Sequence, residues 1–118
     1  MFLSNITNIF RSFIINCECG AMIIDQTDFL PNKAYFIPDQ KWFQLLDAMD
    51  DAIELSGKSA RAKEAACMKM RVLIGGLSKH AWQCSSCGAL YLESRNGELQ
   101  HFKPADDSVS RSILSHKG

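Results

Sequence analysis

The chain has 118 residues with 13 basic and 13 acidic side chains, so its formal net charge at neutral pH is zero. A neutral balance excludes the global basic field of a protein that binds nucleic acid by charge alone, and an apolar content of 47% excludes wholesale disorder. A chain of this length forms one domain with a modest core. We therefore expect a single domain over residues 1–118.

The distribution of apolar residues disfavours membrane-spanning and exported chains. No stretch approaches about 18 consecutive apolar residues, so no spanning helix is expected. The apolar N-terminus lacks the charged region and the small-residue cleavage site of a signal peptide, and Arg11 interrupts it. A reducing, cytoplasmic compartment is the expected setting.

Residues 1–14 show the spacing of an amphipathic helix. Weak helix formers such as Asn, Thr and Ser occupy its polar side, so the helix needs a surface to lie on. We expect that surface to be the domain's own core, and the alternative is docking to a partner. A membrane surface is disfavoured by the single basic residue. The apolar side comprises Phe2, Leu3, Ile6, Ile9, Phe10, Phe13 and Ile14.

A cysteine couple and its flanking strands are predicted over residues 12–37. Cys17-Glu18-Cys19-Gly20, called the first knuckle below, lies between two short apolar runs typical of strands. The sequence then predicts a hairpin that pairs residues 22–25 with residues 34–37. Pro31 and Asn32 supply its turn, since both favour turn conformations.

A helical insert is predicted over residues 39–78. Its first helix spans residues 40–56, with Asp39 as the N-cap and Gly57 as the stop. Apolar residues form one stripe along it: Trp42, Leu45, Leu46, Met49, Ala52 and Ile53.

The second helix of the insert is predicted to begin near Ala60, after Ser59 as its N-cap. Gly75-Gly76 is expected either to break it or to mark its frayed end, because glycine is a poor helix former. Cys67 lies within this helix, away from the other cysteines. We expect it to be buried as a small apolar side chain.

The two helices differ in charge. Residues 39–54 hold five acids and one base, whereas residues 58–80 hold six bases and one acid. Two solvated faces that attract one another weakly are the favoured interpretation. The alternatives are an acidic face for a basic partner, or a basic ridge for a phosphate backbone. That ridge would comprise Lys58, Arg61, Lys63, Lys69 and Arg71.

A second cysteine couple and a hairpin are predicted over residues 80–103. Cys84-Ser85-Ser86-Cys87-Gly88, called the second knuckle below, again lies between two predicted strands. Asn96-Gly97 then predicts a tight turn to a return strand. Residues 104–118 are predicted to be a disordered tail or to contain a short helix from Asp107.

The four knuckle cysteines have the chemistry of a closed structural zinc site, with one ion per chain. Zinc in such sites takes four Cys or His ligands in a tetrahedron, and the knuckles supply Cys17, Cys19, Cys84 and Cys87. Each knuckle ends in a glycine that permits the tight turn. His80 and His101 lie near the second knuckle and its hairpin, where ordinary strand histidines are favoured over ligands.

Two other uses of these cysteines remain open. Disulfide pairing would leave one of the five cysteines over. A redox couple of Cys84 and Cys87 would need the first thiol at a helix N-terminus, but the sequence that follows has the pattern of a strand.

The knuckle pattern resembles the zinc-ribbon class, in which two knuckles at the ends of β-hairpins face each other. The resemblance implies a metal-ligand role for the four knuckle cysteines. Together with the elements predicted above, it gives an α+β fold: antiparallel zinc-ribbon-like hairpins, a helical insert between the knuckles, and an N-terminal amphipathic helix. The first knuckle is one residue shorter than usual, and the insert is long. The first knuckle and residues 36–43 also look like a group of short, uncharacterised bacterial proteins.

Three functions are compatible with these patterns. A zinc-stabilised, non-catalytic module that acts through contacts with a protein partner, of the immunity or antitoxin type, is favoured. A zinc ribbon that binds nucleic acid through the basic 58–80 segment is the first alternative, by analogy of fold. A thiol redox protein is the second. No enzyme is expected, because four cysteines would fill the coordination sphere of zinc and no phosphate loop or His-Glu-x-x-His sequence is present.

Overall fold

The computed structural model describes residues 13–116, which form an α+β fold with two antiparallel sheets and two helices. The α+β class predicted from the sequence is therefore confirmed. The described chain divides into two compact units: a helical unit, residues 37–78, and a β unit, residues 13–36 with 79–116. Neither helix carries an apolar stretch of the length that a membrane crossing requires.

The β unit contains six short strands. They are β1 (Phe13–Asn16), β2 (Met22–Asp25), β3 (Lys33–Phe36), β4 (Lys79–Gln83), β5 (Leu90–Glu93) and β6 (Leu99–Phe102). β1 and β2 form a two-stranded sheet, and the other four form a sheet in the order β3-β4-β5-β6. The hairpin predicted around Asn96-Gly97 is confirmed as the β5–β6 pair.

The predicted hairpin between residues 22–25 and 34–37 is wrong. β2 pairs with β1 across the first knuckle, and β3 pairs with β4 from the other end of the chain. Asn32 directs this pairing, because its carbonyl accepts from the Gln83 backbone N–H at 2.8 Å and its side-chain amide donates to the Gln83 carbonyl at 3.1 Å. The turn at Pro31 and Asn32 thus starts a long-range ladder.

The core of the β unit joins the two sheets. Ile15 and Ile23 come from the two-stranded sheet, and Trp82 and Tyr91 come from the four-stranded sheet. Cys17, Cys84 and Ala89 complete the buried cluster, so thiols are part of the core itself. Because each strand has only four or five residues, this apolar cluster is small.

A polar contact also links the two sheets. The Trp82 indole N–H donates to a carboxylate oxygen of Asp25 at 3.0 Å, and the Lys33 ammonium lies 2.7 Å from the same oxygen. Burial lowers the pKa of Lys33, but the hydrogen bond and charge of Asp25 outweigh that effect and raise it. The ammonium therefore stays charged beside the core.

The helical unit consists of α1 (Asp39–Glu54) and α2 (Ala60–Leu77). Ser59 caps α2 as predicted, since its hydroxyl accepts from the Ala62 backbone N–H at 3.0 Å. Asp39, expected as the N-cap of α1, is instead its first helical residue, and the carbonyl of Pro38 accepts the first helical hydrogen bond. The Asp39 carboxylate still stabilises the N-terminal end of α1, because a negative charge there interacts favourably with the helix dipole.

The Gly75-Gly76 pair does not break the second helix and lies in its last turn. α2 continues through both glycines to Leu77. Leu73 and Leu77 are half-buried and continue the helical face that carries Ala66 and Met70. Burial of that face offsets the cost of about 1 kcal/mol for each glycine in a helix.

The helical unit is inserted between two strands that are neighbours in the sheet. Phe36, the last residue of β3, pairs directly with Lys79, the first residue of β4. The insert therefore leaves and re-enters the sheet at one paired position.

The ends of the chain differ from the sequence predictions where they are described. Phe13 and Ile14, assigned both to a helix over 1–14 and to the strand before the first knuckle, begin β1. Residues 1–12 lie outside the described part. Over residues 105–116 the short helix predicted from Asp107 is absent, and the tail consists of turns and bends. The fully buried Gln83 side chain holds it, donating to the Ser110 carbonyl and accepting from the Ile113 N–H, both at 2.9 Å.

We predict that Gln83→Leu lowers the free energy of unfolding by about 2 kcal/mol, because the tail loses two hydrogen bonds and the Gly88 carbonyl loses its 3.2 Å contact with the same amide. Urea unfolding measures the loss, and limited proteolysis reports release of the tail. Gln100→Leu, on the exposed side of β6, is the matched control. Equal effects of the two substitutions would contradict the role of Gln83.

Candidate metal centre

The first knuckle closes the β1–β2 hairpin with two backbone hydrogen bonds. The Cys17 N–H donates to the Ala21 carbonyl at 2.9 Å, and the Gly20 N–H donates to the Cys17 carbonyl at 3.0 Å. Gly20 has a φ of +99°, a conformation that side chains with a Cβ rarely adopt. The turn brings Cys17 and Cys19 to the same end of the hairpin.

The second knuckle closes the β4–β5 hairpin in the same way. The Cys84 N–H donates to the Ala89 carbonyl and the Gly88 N–H donates to the Cys84 carbonyl, each at 2.8 Å. Gly88 has a φ of +87°. In both knuckles the residue after the glycine closes the turn, so the shorter spacing of the first knuckle removes one loop residue and keeps the closing bonds.

The two knuckles bring their four sulfurs together. The Sγ atoms of Cys17, Cys19, Cys84 and Cys87 all lie within 4.8 Å of one another. Cys17 Sγ lies 3.5 Å from Cys87 Sγ, and Cys19 Sγ lies 3.7 Å from Cys84 Sγ. Each of these contacts joins one knuckle to the other. The separations exceed the disulfide bond length of about 2.05 Å.

The spacing fits a four-coordinate ion. Four sulfurs at about 2.3 Å from a central metal define a tetrahedron with edges of about 3.8 Å, close to the two measured separations. Four soft sulfur donors suit a transition metal and suit neither magnesium nor calcium. The four cysteines could therefore hold one metal ion.

The protein surroundings give the thiols different acidities. Burial raises the pKa of Cys17, but the Cys19 backbone N–H and the Tyr91 hydroxyl outweigh it and lower that pKa to about 6. The Ala89 backbone N–H lowers the pKa of Cys87, but burial and the neighbouring thiols raise it to about 12. The close packing of four thiols therefore favours the binding of a cation, whose positive charge would let all four sulfurs ionise.

Tyr91 is a neighbour of this cluster that the sequence did not reveal. Its ring belongs to the core, and its hydroxyl is buried without a hydrogen bond of ordinary geometry among the described residues. The hydroxyl nevertheless lies close enough to Cys17 to lower the pKa of that thiol. Burial and the Cys17 side chain raise the pKa of Tyr91 itself to about 12. The phenol therefore stays protonated and can donate a hydrogen bond to the sulfur.

Glu18 ties the first knuckle to β6. Its carboxylate lies 2.7 Å from His101 Nδ1 and 3.3 Å from the Lys103 ammonium. The hydrogen bond and charge of Lys103, followed by the charge of His101, lower the pKa of Glu18. The His101 ring stacks on Tyr91 with 4.6 Å between ring centroids. His101 thus contacts Glu18, which lies between two of the cysteines, and His101 is not itself one of the four clustered residues.

Other residues considered in the sequence lie elsewhere. His80 Nδ1 contacts Glu93 at 2.6 Å, within the four-stranded sheet. Cys67, expected to be buried, is exposed on α2, because it falls outside the half-buried face of that helix. The predicted basic set lies in the helical unit, and all its members are exposed: Lys58, Arg61, Lys63, Lys69 and Arg71.

We predict that Gly88→Ala lowers the free energy of unfolding by about 1–2 kcal/mol, because alanine is strained at positive φ. Its Cβ would also meet the Arg111 side chain at 3.4 Å. Gly76→Ala, within α2 and with open space around it, should instead stabilise the chain by about 0.5–1 kcal/mol. Urea unfolding of both variants tests the contrast, and equal stability of Gly88→Ala and the wild type would contradict it.

The comparisons with known proteins identify a family without a described activity. No curated protein and no solved structure matches the chain. A family model described as a domain of unknown function, DUF8617, matches residues 14–107, a range that contains both knuckles and the whole helical insert. The chain therefore belongs to the DUF8617 family.

Proposed function

We propose that the chain is a non-catalytic, zinc-stabilised module that acts through protein contacts made by its helical unit. The observation that carries the proposal is a combination of two features. The β unit gathers four thiols that suit a closed site, and large apolar side chains of the helical unit are exposed along its helices. A reducing compartment such as the cytoplasm would keep those thiols available.

Zinc is the proposed ion because it accepts four thiolates in a tetrahedron without redox chemistry. Its binding would add to the stability of a unit whose apolar cluster is small. Four sulfurs leave no open coordination position, which supports a structural role over a hydrolytic one. Two facing knuckles on hairpins also support the resemblance to zinc ribbons.

The helical unit supplies the proposed binding surface. Leu45 is the one fully buried side chain in α1, and none in α2 is fully buried. Trp42, Met49 and Ile53 are 45%, 43% and 76% exposed. Apolar side chains of this size, grouped on one element, mark interaction sites when they lie at the surface.

Nucleic-acid binding remains a second candidate because the basic residues of the helical unit are exposed. A phosphate backbone would contact one side of a helix. At 100° per residue, however, Arg61, Lys63, Lys69 and Arg71 are distributed around all sides of α2. This distribution favours protein contacts over a phosphate-binding ridge.

A redox function is less well supported. Cys84 is 1% exposed, which restricts access of a substrate disulfide. The pKa of Cys87 is raised to about 12, whereas a reactive thiol has a lowered pKa.

For the metal, we predict one zinc ion per chain by elemental mass spectrometry of protein purified without added zinc. A thiol reagent should then modify Cys67 alone until a chelator is added. Cys84→Ser should lose both the metal and cooperative unfolding of the β unit, while the matched control Cys67→Ser keeps both. A metal-free Cys84→Ser variant with unchanged melting would contradict structural zinc. A metal-free wild type with a Cys84–Cys87 disulfide would instead support the redox function.

For binding, we predict that the tagged full-length chain enriches specific proteins from a lysate of its source organism, and that Ile53→Ser reduces this enrichment at least about tenfold, as expected for a central apolar anchor. Ile113→Ser, which changes a side chain 51% exposed in the β unit, is the matched control. Quantitative mass spectrometry provides the measurement. Equal enrichment by both variants would place the binding surface outside the helical unit.

A further inference from the structure

Three exposed apolar residues of α1 and one half-buried residue form a seam along one side of the helix. Trp42, Leu46, Met49 and Ile53 are spaced by four, three and four residues, so they follow one another along a single face. Leu46 is half-buried and the other three are exposed. This spacing is that of the contact seam between paired helices. We call these four residues the α1 seam.

The seam is left over after α1 and α2 have packed together. On α2, half-buried side chains recur at Ala62, Ala66, Met70 and Leu73, at the spacing of one packed helical face. Val72, on another side of α2, is 53% exposed. Two helices bury only one side of each other, so the α1 seam and the free side of α2 are left available to a partner.

The charges of the two helices are opposite. Five acids and one base give α1 a net charge of −4, while four bases and one acid give α2 a net charge of +3. All ion pairs found among residues 13–116 lie in the β unit. The acids of α1 and the bases of α2 thus form no ion pair with each other within the described hairpin, and are available to a partner.

We propose that the partner covering the α1 seam is a second copy of this chain, with α1 of each copy packed against α2 of the other. A twofold axis makes such an interface self-complementary. Both intermolecular helix pairs then place −4 beside +3, whereas pairing α1 with α1 would place −4 beside −4. This inference rests on the proposed function in assigning protein contacts to the helical unit, and it names the partner.

The resulting assembly is a four-helix bundle built from two helical units. Its core would contain the α1 seams, with Trp42 as the largest anchor, and the opposite charges would lie at the rim. Aromatic anchors of this kind carry much of the energy of interfaces, and rim charges select the partner and the orientation. Opposite charges therefore select α1–α2 pairing over the two like-charged alternatives.

Two charge-reversed variants of the full-length chain test the proposal. One carries Asp47→Lys, Asp50→Lys and Glu54→Lys on α1, and the other carries Lys63→Glu, Lys69→Glu and Arg71→Glu on α2. In either homodimer, both intermolecular helix pairs carry like charges. In the mixed dimer, both pairs are complementary again: one keeps the wild-type signs, and the other has them exchanged.

Sedimentation velocity over a concentration series should show a dimeric wild type. Each variant alone should dimerise roughly 30-fold more weakly or worse, since six exposed charge contacts per dimer are reversed. An equimolar mixture should restore dimerisation to within a few-fold of the wild type. Asp28→Lys, in an exposed loop of the β unit, is the control that leaves the dimer unchanged. Circular dichroism and zinc content establish that every variant is folded.

Three outcomes would overturn the proposal. The first is a wild type that stays monomeric at the highest concentrations. The second is a dimer that forms equally well in both charge-reversed variants, because its interface would lie elsewhere. The third is a monomer that dimerises only after residues 2–12 are deleted, because that segment would then cover the α1 seam. A monomer that still captures a different protein through Ile53 would overturn the dimer and leave the proposed function intact.

Discussion

The convergence of four thiols from two distant turns is the constraint on which the β unit depends. Cys19 and Cys84 are 65 positions apart in the sequence, yet their sulfurs lie 3.7 Å apart. Closing so long a segment costs conformational entropy, although this cost grows only slowly with length. Cys17 and Cys84 also belong to the apolar core. An ion bound there would join the two sheets from inside that core, so metal binding and folding would be one process.

The two units use their polar groups in opposite ways. In the β unit, Gln83, Trp82 and Glu18 direct their side chains to partners within the unit. In the helical unit, charged side chains cover both helices without forming ion pairs to one another among the described residues. Internal polar contacts such as these suit a stable scaffold, whereas available charges and apolar side chains suit contacts with another molecule.

Local signals in the sequence were sufficient for the elements and for the clustered cysteines. The knuckle spacing, the Asn96-Gly97 turn and the Ser59 cap each depend on a few adjacent residues. The pairing of β3 with β4 and the docking of the tail on Gln83 depend on residues far apart in the chain, and no local pattern encodes them. Tyr91 and Glu18 were missed for the same reason. A glycine following each cysteine couple was the one local sign that the turns were alike.

The pairing of Phe36 with Lys79 has a consequence for how this family can vary. Because the insert starts and ends at one paired position, the β3–β4 register does not depend on the length or sequence of the insert. A short turn or a longer helical segment would satisfy the same geometry, and each doubling of loop length costs only about 0.6 kcal/mol. The segment could therefore change in length and sequence without altering the pairing of β3 with β4, the strand that leads into the second knuckle.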